Sequence, residues 1–174
     1  MAPKAVYVVV SGPPASGKST LAPFLASELG LPLLAKDTIK DALMSVLRVP
    51  DVEASRQLGR GAVAAMLAVA AESSIGAVIE SNFYRSVAAQ SLRELPGQVV
   101  EVFCRCPKAI ALERYRARSG SRHAGHFDDD RDIDELWNDE VAEPVAAGWP
   151  LLEVNSAQPV DVAGVVAFVR DAVL

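Results

Sequence analysis

The sequence is short of cysteine, has no apolar run long enough to cross a bilayer and carries no surplus of positive charge. Each shortage excludes something. Cys104 and Cys106, the two cysteines, sit in FCRCP. A C-x-C pair has poor geometry for a structural disulfide and two thiols are too few for a zinc site, so buried packing is their expected role. The longest apolar run, AVAAMLAVAA at 62–71, stops at Glu72, well short of a membrane span. Ala5–Val10 is too short for a secretory leader and runs straight into a glycine-rich segment. A cytoplasmic protein without a membrane partner is therefore expected. A net charge of −5 leaves no general basic face for a nucleic-acid backbone. The local exception is the crowding of Arg114, Arg116, Arg118 and Arg122, followed by an acidic run from Asp128 to Glu135.

What is present is a regular alternation. Short β-branched runs at Val6–Val10, Pro32–Ala35, Ala77–Glu80, Val99–Phe103 and Leu151–Val154 are expected strands. Helical patterns lie between them near 18–29, 38–48, 53–74, 86–94, 107–119 and 131–142, with a last one near 159–173. Continuous apolar strands alternating with helices imply an α/β fold of three layers, with a mostly parallel five-stranded sheet covered on both faces. No internal repeat or linker interrupts the chain, so residues 1–174 are read as one domain. The polar stretch 119–131 is the expected mobile loop.

Directly after the first strand, Gly12-Pro13-Pro14-Ala15-Ser16-Gly17-Lys18-Ser19 satisfies G-x-x-x-x-G-K-[ST], and Thr20 follows in the next helix. The chemistry needs these residue types. Gly12 and Gly17 allow backbone conformations closed to other residues and a close approach to a polyphosphate. Successive amides then point into one concavity, reinforced by the N-terminus of the following helix. Lys18 would bridge the β- and γ-phosphates, and Ser19 would place a hydroxyl on Mg²⁺. ATP or GTP with Mg²⁺ is thus the expected ligand.

Nucleotide binding alone does not specify a reaction. Switch GTPases need an N-K-x-D segment, which is missing, and motor ATPases carry four apolar residues ending in Asp, where this chain has Ala77-Val78-Ile79-Glu80. A small kinase remains. Asp37, just past the second strand, lies at the carboxyl edge where ligands bind in such sheets. It can accept a proton from an acceptor hydroxyl, or N-cap a helix beginning at Thr38, or do both. Arg114 and Arg118, four apart on a helix, share a face, whereas Arg116 points elsewhere. Glu80 can hold Mg²⁺ through water or orient Lys18, or simply end its strand; Asn82 can touch the acceptor. His123 and His126 are read as surface residues. Trp137 and Trp149 are read as core packing, with an acceptor-pocket role left open.

GPPASGKST, KDTIK, VIESNF and CPKAIALERYRAR, in that order, resemble the small P-loop kinases related to phage polynucleotide kinase, zeta-type toxins and chloramphenicol phosphotransferase, many of them labelled AAA-type ATPases. The resemblance implies a nucleotide-kinase-like fold with an arginine-bearing lid at about 114–131. It also implies that Asp37 acts on the acceptor hydroxyl, that Lys40 helps hold the acceptor, and that Arg114 and Arg118 reach the transferring phosphates. By the same likeness, Asn155 and Ser156 lie near the nucleotide base. The expected activity is transfer of the γ-phosphoryl group of Mg·ATP to a hydroxyl of a small molecule or nucleotide. The rivals are a polynucleotide 5′-hydroxyl kinase, disfavoured by the acidic charge, a toxin acting on a cell-wall sugar nucleotide, and a non-catalytic ATP-sensing module.

Overall fold

β1 (Ala5–Ser11) is the centre of a five-stranded, wholly parallel sheet of order β2-β3-β1-β4-β5. The computed structural model describes residues 4–173, the side chain of Ser119 excepted. The other strands are β2 (Leu33–Ala35), β3 (Gly76–Glu80), β4 (Gly97–Arg105) and β5 (Leu151–Asn155). Between them run α1 (Lys18–Leu29), α2 (Lys36–Met44), α3 (Val52–Ala71), α4 (Arg85–Arg93) and α5 (Lys108–Ser119). Two short helices, α6 (Ile133–Leu136) and α7 (Asp139–Ala142), precede β5, and α8 (Val162–Ala172) closes the chain.

The alternation of side chains along β1 divides the core in two. Val8 and Val10 pack with Leu21 and Leu25 of α1 and Val165 and Val169 of α8. Tyr7 and Val9 face the other way, onto Met66 and Ala70 of α3 and Leu92 of α4. The chain leaves β1 toward β2 and β3 on one side and reaches β4 and β5 on the other. The carboxyl end of β1 is therefore the switch point at which such sheets open a crevice.

One buried carboxylate braces that end. Glu101, wholly inaccessible in β4, accepts hydrogen bonds from Ser11 Oγ (2.6 Å), the Val145 and Ala146 amides (2.9 Å each) and Trp149 Nε1 (2.9 Å). It ties the last residue of β1 to the segment leading into β5. Replacing Glu101 by leucine strands these donors and is expected to destabilise the fold by about 3–5 kcal/mol. Denaturant unfolding of the variant checks this; an unchanged midpoint would show the brace to be dispensable.

Two helix assignments need correction. The single helix expected over 131–142 is broken into α6 and α7. Asp132 caps the first through the Asp134 amide, and Asn138 caps the second through the Glu140 amide while its Nδ2 donates to Glu135 O. Side chains that offer the backbone local partners interrupt helices in this way. The second helix starts at Lys36, with Ala35 as its cap residue, so Asp37 lies inside the first turn and does not N-cap a helix at Thr38. A carboxylate there still meets the positive end of the helix.

Candidate active site

The loop after β1 has the backbone its sequence demands. Gly12 has φ 140°, and a Cβ there would sit 2.7 Å from the Cys104 carbonyl oxygen. Gly17, with φ 91°, occupies the cap position of α1 and leaves that helix end without a side-chain cap. Ala15 also has positive φ, at 58°, a strain of about 1–3 kcal/mol of the kind that collects at ligand-binding loops. The amides of Ala15, Gly17, Lys18 and Ser19 find no protein acceptor among the described residues, and the fully buried Ser16 Oγ has no partner. Lys18 is buried too, its Nζ donating to Pro13 O at 2.7 Å. Burial lowers its pKa, against the opposing pull of Glu80. Glu80, buried at the end of β3, is pushed upward by the same desolvation, with Lys18 opposing. Unpartnered donors, an open helix end and a buried cation are the groups that polyphosphate oxygens require, so the loop fits a nucleoside triphosphate.

Across the cleft, Asp37 is held by two cations. Its Oδ1 lies 2.6 Å from Lys36 Nζ and its Oδ2 accepts from Arg122 Nη2 at 2.9 Å. Burial alone would raise its pKa, but Lys36 and Arg122 outweigh that and hold the carboxyl well below the usual range. Arg122 is itself fixed by Asp128, both of whose oxygens lie 2.8 Å from Nη1, and Asp128 also accepts from Tyr115. The remaining partner is His126, whose Nδ1 lies 2.9 Å from Arg122 Nη2 and whose Nε2 lies 2.6 Å from Asp41 Oδ1. Only the neutral tautomer with hydrogen on Nε2 satisfies both contacts, because Nδ1 must accept from the guanidinium. His126 is thus buried and not at the surface, contrary to the expectation for it; the tight turn Ala124–His126 carries its ring inward.

Burial and Arg122 lower the pKa of His126, with Asp41 and Asp37 opposing and Lys40 adding to the lowering. A depressed folded-state value means that the contribution is complete above the unfolded value of about 6.5 and is lost as pH falls. Stability is therefore expected to decline from pH 6.5 downward, and His126→Phe to flatten that part of the profile. Thermal melts of both proteins from pH 7 to pH 5 check this; parallel profiles would contradict it.

Of the other arginines, Arg118 lines the cleft with its guanidinium 5.5 Å above the Tyr115 ring, and its buried Nε has no acceptor among the described residues. Arg114 also lines the cleft, donating to Ser156 O at 3.0 Å and so joining α5 to the turn after β5. Arg116 is exposed and does not line the cleft. Trp137 packs edge-on against Tyr115, and Trp149 is spent on Glu101.

A family model described as AAA domain matches residues 8–136. The chain belongs to that family. Among solved structures, this AAA-domain chain is similar to a Chloroflexus aurantiacus protein described provisionally as a kinase, with TM-score 0.86 and 28% identity over 98% of this chain and 100% of the other. It also shares its fold with a Sinorhizobium meliloti gluconokinase (TM-score 0.58, 21% identity, 98% and 91% covered). An Acinetobacter baumannii shikimate kinase in complex with shikimate is comparably similar (TM-score 0.61, 19% identity, 98% and 92% covered). No curated protein matches the sequence. The architecture is that of small P-loop kinases.

In this AAA-domain chain the cleft between loop and lid encloses about 610 Å³ and brings together Lys18, Ser19, Thr20, Asp37, Lys40 and Glu80. Asn82, Arg114, Arg118, Arg122 and Ser156 line it as well. A second cavity of about 830 Å³ opens beside it, under α3 and α4, sharing Lys36, Lys40, Ser81, Asn82 and Arg131 with the first. Lys40 is buried at this seam, its Nζ donating to Ser55 Oγ (2.7 Å), which donates onward to Gly125 O (2.6 Å). Sequence reasoning missed the Arg122–His126 arrangement and the second cavity. The signal for the cavity was present: Arg56, Arg60, Val63 and Leu67 follow helical spacing along α3.

Proposed function

We propose that this chain is an ATP-dependent phosphotransferase that moves the γ-phosphoryl group onto a hydroxyl of a small molecule. The observation that carries this is the joining of two cavities at Lys36 and Lys40, one lined by the phosphate loop and Asp37 and the other large enough for an acceptor. A base beside a triphosphate cradle that opens onto a second ligand cavity suits transfer better than simple nucleotide sensing. The family membership and the likeness to sugar, gluconate and shikimate kinases support the coarse activity.

In the transfer, the acceptor oxygen forms a bond to the γ-phosphorus as the bond from that phosphorus to the β–γ bridging oxygen breaks, and ADP leaves with the electron pair. The acceptor's proton passes to Asp37. A carboxylate held at low pKa is a weak base, which suits a loose transition state in which the hydroxyl is oriented first and deprotonated late. The loop amides and Lys18 hold the β- and γ-phosphates. Mg²⁺, when bound, neutralises the phosphate oxygens, and Ser19 with Glu80 are the groups placed to hold it, directly or through water. Arg118, which lines the cleft with an unsatisfied donor, would bind the transferring phosphates, and Arg114 would support the nucleotide side of the cleft. Arg122, parked on Asp37, is positioned to hand that carboxylate to the acceptor and turn to the γ-phosphoryl group as the lid closes.

The test is ADP release from Mg·ATP across a panel of sugars, hydroxy acids, nucleosides and nucleotides, with phosphorus NMR of the product. Acceptor-dependent turnover yielding a phosphomonoester is expected. Tight ATP binding with no acceptor-dependent turnover across the panel would favour a sensing module instead.

A further inference from the structure

The second cavity has a charge pattern that the chain's composition does not explain. Five cationic side chains line it, Lys36, Lys40, Arg56, Arg60 and Arg131, against Glu135 as the one carboxylate among its described lining residues. This occurs in a chain whose net charge is −5. Nearby carboxylates offset part of the charge: Asp37 meets Lys36, Glu53 meets Arg56 and Arg60, and Glu135 meets Arg56 and Arg131. Two cations keep unspent donors nonetheless. Arg131 Nε is buried without an acceptor among the described residues. Lys40, only 2% exposed, has a serine hydroxyl as its hydrogen-bond partner and no carboxylate in ion-pair range among the described residues. A buried cation without a counter-charge is costly, and an anionic ligand relieves that cost.

The cavity is also graded. Along α3 the lining residues recur on one face, with Arg56 and Arg60 toward the seam and Val63 and Leu67 farther along, a span of about 16 Å at helical rise. Val87 of α4 continues the apolar half. Resting on the phosphotransfer function proposed above, we infer that the acceptor is an anionic hydroxylated molecule. Its carboxylate or phosphate would be held by Arg131 and Lys40, with the Arg56 charge, itself paired with Glu135 and Glu53, adding to the field, and its carbon skeleton would lie along the apolar half. The hydroxyl that receives the phosphoryl group then passes the seam at Lys36 and Lys40 to reach Asp37, which lines the first cavity beside Lys36. Neutral sugars lack the group these cations require. Specificity here is electrostatic, since an uncharged acceptor leaves the buried donors unpaired.

Lys40 supplies a second signature. Burial, then Lys36, lower its pKa to about 8, with Asp37 opposing and Arg131 and Arg122 adding to the lowering. It binds an anion in its protonated form, so the apparent KM of an anionic acceptor is expected to rise above pH 8, while that of a neutral one stays flat.

The experiment is turnover on a library of hydroxylated metabolites sorted by charge, with matched pairs inside it: gluconate with glucitol, glycerol 3-phosphate with glycerol, adenosine monophosphate with adenosine. The carboxylate and phosphate arms separate the two sources of negative charge. Anionic members are expected to show KM values about tenfold or more below their neutral partners. Arg131→Gln should raise the anionic KM about tenfold, with kcat less affected, and Arg56→Gln should raise it by less. Arg60→Gln, at an exposed site where folding is not at risk, should raise it more modestly. Equal or better use of neutral members, or unchanged KM in all three variants, overturns the inference and leaves phosphotransfer standing. Absence of turnover from both classes removes phosphotransfer itself, and the inference with it.

Discussion

Asp37→Asn is expected to lower acceptor-dependent phosphoryl transfer about 10²–10⁴-fold while ATP still binds. The substitution keeps the shape of the side chain and removes its charge and proton affinity. Arg122 retains Asp128 and His126 as partners, so the lid stays docked. Lys36, Lys40, Arg118 and Arg122 then face the cleft with one carboxylate fewer, and nucleotide affinity should hold or tighten. Rapid-quench turnover and nucleotide titration on the same preparation separate the two effects. Unchanged transfer would remove Asp37 from the chemistry and leave it as an ion-pair partner of α2 and the lid.

Lys18→Met is expected to cost about 10²–10³-fold or more in transfer, because in the proposed reaction it deletes the buried positive charge that would stabilise the oxygens gaining charge in the transition state. It differs from the first variant in one decisive respect: nucleotide affinity should fall as well. The buried position tolerates methionine sterically; it forfeits one hydrogen bond to Pro13 O and the attraction of Glu80, whose burial then favours its neutral form. Circular dichroism and melting curves should therefore stay close to those of the parent. A variant that binds Mg·ATP and turns over normally would show that the loop amides suffice without the lysine.

How legible these roles were in the sequence differs from residue to residue. The phosphate loop was plain because its chemistry is local: Gly12 and Gly17 have positive φ, Gly12 a close backbone approach as well, and no distant residue has to be known to see the pattern. The strands were nearly as plain, since burial on both faces makes parallel strands continuous apolar runs. Asp37 could be placed by its position at the end of β2, but its environment could not. Lys36 was adjacent in the sequence, whereas Arg122 and His126 arrive from some 85 positions away through a turn whose geometry no periodicity announces. That distance is also why His126 was expected at the surface. The break between α6 and α7 was written in Asp132 and Asn138, both good caps, and was overridden by the longer helical pattern around them. The second cavity needs α3, α4 and the segment carrying Arg131 to meet, and only the folded chain brings Arg56 and Arg131 onto the same carboxylate.

Isothermal titration of the parent protein and Lys18→Met with magnesium and a non-hydrolysable ATP analogue is the most direct measurement of the claim on which the rest depends. Saturable binding near one analogue per chain, weakened at least tenfold in the variant, is the expected result. No heat from the parent, or equal affinity in the two proteins, would contradict it.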